Sequence, residues 1–279
     1  LPLHCLDAEV AMAVAHGPSA TEPEVVLDCR AICAPRLTAA SMVLTDFIRL
    51  HFHARGAISN LFVEPQSALQ SQGSGMVVLH VRAVGLNFRD VLNVLGEYPG
   101  DPGPPGGDAA GRVVEGGPSA HLAVGIAAYG VGHAPLARMA RAASLHLAPK
   151  PAALLFEQAC TLPVTWSTVH MAVSRAGMHV GCSIVVQAAA GGVGLKAVEY
   201  TQWLLASPIG TAGRPCKHTQ LQAMGIIGQC SSRIGAAYAR GALALLVSRR
   251  SHVVLNSLSS DFISSSIASL CEGGVFEEI

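Results

Sequence analysis

The alternation of hydrophobic and polar positions changes texture three times along the chain. Up to about Ala54 no period is sustained. From Met76, the stretch MVVLHVRAVGLNF alternates and is rich in valine, whose branched side chain packs well on a pleated surface, so it predicts a strand. The glycine and proline cluster Pro99 to Gly107 that follows reads as a loop, with further short strands expected at Gly111 to Glu115 and Ala123 to Tyr129. Short strands with frequent Gly and Pro predict a small, mostly β domain ending near Ala148-Pro149-Lys150-Pro151.

Beyond that point the period lengthens. A helical stretch from Phe156 to Arg175 is followed by SIVVQ (Ser183 to Gln187) as a buried strand, then AAAGGVG, then a helical Leu195 to Leu205. The pattern recurs with HVVLNSL (His252 to Leu258) as an apolar strand, a helix near Asp261 to Leu270, and a strand from Gly274 to Ile279 after the turn Glu272-Gly273-Gly274. Continuous apolar strands alternating with helices predict a parallel sheet covered on both faces. The expected class is α/β, with no sustained pattern over residues 1–54, a mostly β domain at 55–150 and a parallel-sheet domain at 151–279.

Composition narrows the functions. At about 150 residues per domain, 279 residues suit two domains. Eighteen basic residues balance eighteen acidic ones, so nothing draws nucleic acid in general and no nucleic-acid partner is expected. Charged residues are 13% of the chain against roughly 25% in ordinary domains, so part of the surface is expected to face a neighbour. The mean hydropathy of +0.43 raises the question of a membrane span. The uncharged runs Gly116 to Ala137 and Ala176 to Leu195 are interrupted by Pro118, Pro135 and glycines, so no span is expected. The eight cysteines form no C-x-x-C pair, which suits a reducing, intracellular compartment, most simply the cytoplasm. Cys29-x-x-x-Cys33 and His51-x-His53 read as scattered thiols and loop histidines, and no metal is expected. The opening LPLHCLDAEV has neither a methionine nor a secretory pattern, and the chain is read as an excised piece.

Ala189-Ala190-Gly191-Gly192-Val193-Gly194 fits a dinucleotide fingerprint with alanine in the first glycine position. Gly191 lets backbone amides approach a pyrophosphate, Gly194 lets the helix pack close to the strand, and the helix N-terminus faces the phosphates. The competing reading is a tight turn that binds nothing. An NAD site usually places Asp or Glu about 20 residues further on. Here no carboxylate occurs between Glu199 and Asp261, whereas Arg214, Lys217, Arg233, Arg240, Arg249 and Arg250 do. Arg214 and Lys217 sit just past Ile209 to Gly213, where the second strand should end, and a 2′-phosphate suits them, which favours NADPH. A solvated basic face is the alternative.

Five segments together resemble a known family: GLNFRDVLNVLGEYPGDPG (Gly85 to Gly103), APKP (Ala148 to Pro151), LPVTWSTVHMA (Leu162 to Ala172), AAAGGVG and HVVLNSLSSDF (His252 to Phe262). They look like the enoyl reductase domain of type I polyketide synthases, a zinc-free branch of the medium-chain dehydrogenase/reductase superfamily similar to the enoyl reductase of animal fatty acid synthase. The match runs from about Arg55 to Ile279. It implies a GroES-like substrate domain followed by a Rossmann domain with NADPH between them. The reaction implied is reduction of a trans-2-enoyl thioester carried on an acyl carrier protein, inside a multifunctional enzyme whose neighbouring domains cover part of the surface. Residues 1–54 then become the tail of an upstream domain, such as the structural half of a ketoreductase, or a linker.

The same resemblance assigns residues. Tyr98 matches the tyrosine associated with proton delivery to the α-carbon and with α-methyl configuration; Asn87, in GLNFRD beside Arg89 and Asp90, lines the cleft as a positioning group. Thr165 and Thr168 match residues beside the nicotinamide, and Asn256, Ser257 and Leu258 match the segment whose backbone meets its ribose. Loop packing, helix caps and strand-end turns compete with these roles. Departures are Ile126 in place of a turn aspartate, Pro208 entering the second strand of the sheet, which should therefore begin after it, and Ile234 in a segment that often reads S-S-R-D. A lysine expected after GGVFEEI would lie past Ile279, so the domain is expected to be incomplete. Rival functions are a quinone oxidoreductase-like enzyme and a noncatalytic scaffold domain.

Overall fold

A computed structural model describes residues 26–28, 31–33, 47–71, 73–246 and 250–279. Two compact units divide the chain, Leu1–Val43 and Leu44–Ile279. Of the first, the described residues form an antiparallel hairpin of β1 (Val26–Asp28) and β2 (Ala31–Cys33). Cys5, Cys29 and Arg249 lie outside the described residues.

The second unit opens with β3 (Ile48–Phe52), paired antiparallel with β4 (Leu61–Pro65). A five-stranded antiparallel sheet follows: β5 (Met76–Gly85), β6 (Asp108–Gly116), β7 (Ala127–Val131), β8 (Met139–Ala143) and β9 (Leu147–Pro149), in the spatial order β8-β5-β6-β7-β9. One face buries Val77, Leu79, Val113, Ala128, Ala142 and Leu147 with Leu122 from the loop above, each large aliphatic group contributing about 1.5–3 kcal/mol. Between β5 and β6 lies α1 (Phe88–Leu95), closed by Gly96 in a left-handed conformation. The strand expected at Ala123 to Tyr129 starts later, at Ala127. Gly125 turns the chain there with φ +90°, its amide donating to the Val113 carbonyl.

The rest is a five-stranded, all-parallel sheet: β10 (Ser183–Val186), β11 (Ser207–Ala212), β12 (Gln229–Ser231), β13 (Ser251–Asn256) and β14 (Leu270–Glu278), in the order β12-β11-β10-β13-β14. Helices α2 (Phe156–Ala159), α3 (Pro163–Arg175), α4 (Gly192–Trp203), α5 (Pro215–Ala223), α6 (Gly235–Leu245) and α7 (Ile263–Ser269) connect and cover it. Side-chain alternation decides which helix lies where. Ile184, Val186, Val253 and Leu255 meet Val169 of α3, Ala197 of α4 and Leu221 of α5. Val185 and Val254, on the opposite face, meet Tyr238 and Ala242 of α6. A sheet so covered has apolar residues at every position of its central strands, which is why SIVV reads as one continuous run.

Four further element limits differ from the sequence reading. The single helix expected from Phe156 to Arg175 is two, because Pro163 can only occupy the first turn of a new helix. The helix expected from Leu195 begins at Gly192, inside the glycine turn. β11 begins at Ser207, not after Pro208. Ser207 N–H donates to Cys182 on the β10 side, so the proline nitrogen faces the other way, where β12 pairs only from Gly210 onward. Finally, Glu272-Gly273-Gly274 lies within β14 as a bulge. Leu270 pairs with Ser251 and Val275 already with Val253, leaving the intervening residues unpaired.

Candidate dinucleotide site

The turn between β10 and α4 is held from below. Ala188, at φ 45°, donates its N–H to Thr211 Oγ1 (2.9 Å), and Ala189 donates to the Thr211 carbonyl (2.9 Å), so β11 fixes the start of the turn. A β-carbon at Gly194 would stand 2.4 Å from the Ala188 oxygen and 2.6 Å from Ala189 Cα, so only glycine lets α4 come this close to the strand. Amides in the first turn of α4 have no acceptor in their own helix, and no acidic side chain occupies that turn. Both features leave the positive end of the helix open to an anion.

A cavity of about 220 Å³ sits beside this turn, bounded by Ala188, Ala190 and Gly191 on one side and by Thr211 to Gly213 on the other. Lys217, Ser232, Arg233 and Leu258 complete its wall. Lys217 stands in the first turn of α5, whose cap is Arg214. The Arg233 side chain crosses Gly213, where a β-carbon would come 2.6 Å from its Nε. Among the described residues neither Lys217 nor Arg233 forms an ion pair, so both charges are available to a ligand. Arg214 is exposed and outside the cavity wall, and Arg250 is engaged by the Ala268 and Leu270 carbonyls. Arg233 was indistinguishable in sequence from the other basic residues of its interval; the approach of β12 to β11 brings it here.

Thr165 lies against the turn, 3.8 Å separating its methyl from the β-carbon position of Gly192, while its hydroxyl donates to the Thr161 and Leu162 carbonyls just before its helix. Thr168 is half-buried one turn further along α3. In the segment whose backbone is expected to meet a ribose, the Ser257 and Leu258 amides donate to Gln187 Oε1 (3.1 Å each). Leu258 is among the wall residues of the cavity. Asn256 is fully buried, its Nδ2 donating to the Leu258 carbonyl (2.9 Å) and to Glu278 Oε2 (2.7 Å).

On the β-domain side, Asn87 caps α1, its N–H donating to Asp90 Oδ2 (2.9 Å), while Asp90 Oδ1 accepts from Gly106 N–H (2.8 Å) and ties the Pro99–Gly107 loop to the helix. Arg89 lays its guanidinium over the Tyr98 ring, 5.5 Å to the centroid, and donates to the Pro102 carbonyl (2.7 Å). The half-buried Tyr98 is therefore oriented by a cation that the loop itself holds. Asp108, which sequence reasoning passed over, receives Asn87 Nδ2 (3.1 Å) on Oδ2 and the Val164 amide of α3 on both oxygens (3.1 and 3.3 Å). Burial, reinforced by the nearby Asp90 charge, pushes its carboxyl up to about 6 despite those hydrogen bonds. Burial also raises the Cys160 thiol, as does Asp108 itself.

No group of three or more His, Cys, Asp or Glu side chains placed to hold a metal occurs among the described residues. No helix among them is long and apolar enough to cross a membrane.

Residues 73–143 match the family model of the alcohol dehydrogenase GroES-like domain. The phenolphthiocerol synthesis polyketide synthase type I Pks15/1 of Mycobacterium marinum is 33% identical over 288 residues, covering 98% of this chain and 13% of that protein. The spectinabilin polyketide synthase system protein NorB of Streptomyces orinoci is 38% identical over 229 residues, covering 80% of this chain and 10% of that protein. The chain thus spans only a small part of the length of these relatives. Among solved structures, the CurK enoyl reductase is 31% identical with a TM-score of 0.78, covering 84% of this chain and 74% of that one. A quinone oxidoreductase of Pseudomonas syringae pv. Tomato DC3000 is 26% identical with a TM-score of 0.72, covering 82% and 72%. An antiparallel GroES-like domain followed by a parallel sheet with a glycine turn, joined to these likenesses, places the chain in the enoyl reductase family of type I polyketide synthases, oxidoreductases of the medium-chain dehydrogenase/reductase superfamily that work with a nicotinamide cofactor.

Proposed function

We propose that the chain reduces the double bond of a trans-2-enoyl thioester, presented on an acyl carrier protein by the same multidomain enzyme, with NADPH as reductant. The observation that carries this reading is the cavity beside the glycine turn, with Lys217 and Arg233 in its wall, no carboxylate there, and a glycine at 194 that a β-carbon would obstruct. Bound there, NADPH supplies the hydride that adds to the β-carbon of the thioester. The first-turn amides of α4 would hold the pyrophosphate, and Lys217 and Arg233 the 2′-phosphate. Thr165 and Thr168 would line the nicotinamide side of α3, with Leu258 closing the adenosine end of the cavity.

As the β-carbon is reduced, negative charge builds on the thioester oxygen, and a proton must reach the α-carbon to complete the saturated product. Tyr98 is the donor in this reading: its phenol hydroxyl gives a proton to an enolate over a short distance. Arg89 would steady the phenolate left behind, and Asn87 would orient the substrate. The carrier-bound substrate and the neighbouring domains fit the length of the polyketide synthases that the chain resembles.

The test is consumption of reduced cofactor by the full chain with crotonyl pantetheine, with a quinone, and with each of NADPH and NADH. Saturable oxidation of NADPH by the thioester alone supports the reading. Turnover of the quinone in its place would support a quinone oxidoreductase, in line with the likeness to the Pseudomonas syringae structure, and no binding of either coenzyme would leave a noncatalytic scaffold.

A further inference from the structure

Asp108 stands where the antiparallel domain meets α3 and has no part in the chemistry above, although it is only 1% exposed. From one side it holds the Asn87 amide, and from the other the backbone N–H of Val164, in the first turn of α3. That amide has no acceptor in its own helix and lies at the positive end of the helix dipole, so a carboxylate from a distant strand both satisfies and stabilises it. The next residue, Thr165, rests against Gly192 of the glycine turn. A single carboxylate therefore joins the substrate-side Asn87 to the backbone that carries Thr165 to the cofactor side.

We propose that ionised Asp108 is a positioning residue for the reduction, fixing Asn87 and the N-terminus of α3 in one arrangement and so setting the approach of substrate to nicotinamide. This rests on the enoyl-reduction reading of the same site. Both groups that point at Asp108 are donors. Protonation replaces a charged acceptor with a neutral one and adds an O–H donor, which weakens both hydrogen bonds and loosens the arrangement. The titratable groups facing it are Asp90 on α1 and the Cys160 thiol at the end of α2, with Glu157 beyond the thiol. α3 brings an amide and no acidic side chain in its first turn, and the residues paired with Asp108 on β5 and β7 are Gly85 and Val131. None of these neighbours is a cation, so burial and the like charge of Asp90 place the titration at about 6, within reach of an activity profile.

The experiment compares the full chain with Asp108→Asn, Asn87→Ala and the exchanged pair Asn87→Asp/Asp108→Asn, recording kcat and KM with crotonyl pantetheine and NADPH from about pH 5 to about pH 8, beside thermal unfolding of each. Native kcat should fall on the acid side with a midpoint near 6. In Asp108→Asn that limb should vanish and kcat at neutral pH should drop about 10- to 100-fold with KM for NADPH little changed. The exchanged pair, which restores one donor facing one carboxylate, should recover part of the loss. An unaltered kcat and acid limb in Asp108→Asn overturns the inference, as does a loss of kcat that tracks unfolding in all three variants and is not rescued by the exchange. Should the native chain bind NADPH but not reduce the thioester, the enoyl-reduction reading fails by itself. The tie is then read in the pH dependence of bound-nicotinamide fluorescence, and a native profile in Asp108→Asn overturns it.

Discussion

Replacing Gly194 with alanine tests the geometry of the glycine turn directly. The new β-carbon would lie 2.4 Å from the Ala188 oxygen, 2.6 Å from Ala189 Cα and 2.8 Å from the Ala189 carbonyl carbon, all backbone atoms that no rotamer change can move. Relief requires α4 to withdraw from β10 by about 1 Å, and overpacking of this kind costs about 1–3 kcal/mol. Gly192→Ala is the internal control, since its β-carbon would meet nothing closer than the Thr165 methyl at 3.8 Å. Both positions lie in the first turn of α4 and share any gain in helix propensity, at most about 1 kcal/mol, so the difference between the variants isolates the clash. Urea unfolding should place Gly194→Ala about 1–3 kcal/mol below Gly192→Ala at equal m-values. Because the same withdrawal carries the first-turn amides away from the phosphates, NADPH affinity by fluorescence titration should fall at least about tenfold, about 1.4 kcal/mol. Equal stability within about 0.5 kcal/mol, together with equal affinity, would refute the close-packing argument.

Removing Lys217 or Arg233 as alanine variants should weaken NADPH about 10- to 100-fold and leave NADH unchanged, the charge-assisted bonds to a 2′-phosphate being worth about 1.5–3 kcal/mol; equal losses for both coenzymes would move these cations off the 2′-phosphate. Tyr98→Phe should slow reduction of an α-methyl enoyl thioester or change the configuration at the α-carbon, read by chiral chromatography of the product, and an unchanged rate and configuration would remove Tyr98 from proton delivery. Stability should carry the opposite signature to activity at Asp108. A carboxyl raised to about 6 in the fold binds its proton more tightly there than in the unfolded chain, so its contribution is present below the unfolded value of 3.8 and lost as pH rises through about 6. The stability of Asp108→Asn relative to the native chain should therefore rise between about pH 4 and about pH 7, and a constant difference would contradict the raised value.

The local logic of the chain is written in it. Valine alternation in MVVLHV, the uninterrupted apolar SIVV and VVLN, and glycines spaced for a strand-to-helix turn are each set by side-chain volume and backbone freedom, which act over a few residues. The class, the two kinds of sheet and the position of the turn follow from these short-range effects alone. Limits of elements were less legible where a rule depends on what stands opposite. Pro208 breaks a ladder only if a strand lies on its nitrogen side, and Gly273-Gly274 turns the chain only if the partner strand does not continue past it.

Only the tertiary structure decided which charges act together. Arg214 and Lys217 are near neighbours in sequence, yet Lys217 reaches the cavity and Arg214 does not, and Arg233 joins Lys217 because a parallel crossover returns β12 beside β11. In sequence Asp108 is one acid after a glycine pair. In the fold it is buried between the Asn87 side chain and the Val164 amide. Hydrophobic periodicity is a one-dimensional property that composition and spacing carry. Electrostatic environment depends on distance and desolvation in three dimensions, and those exist only after elements remote in sequence have packed.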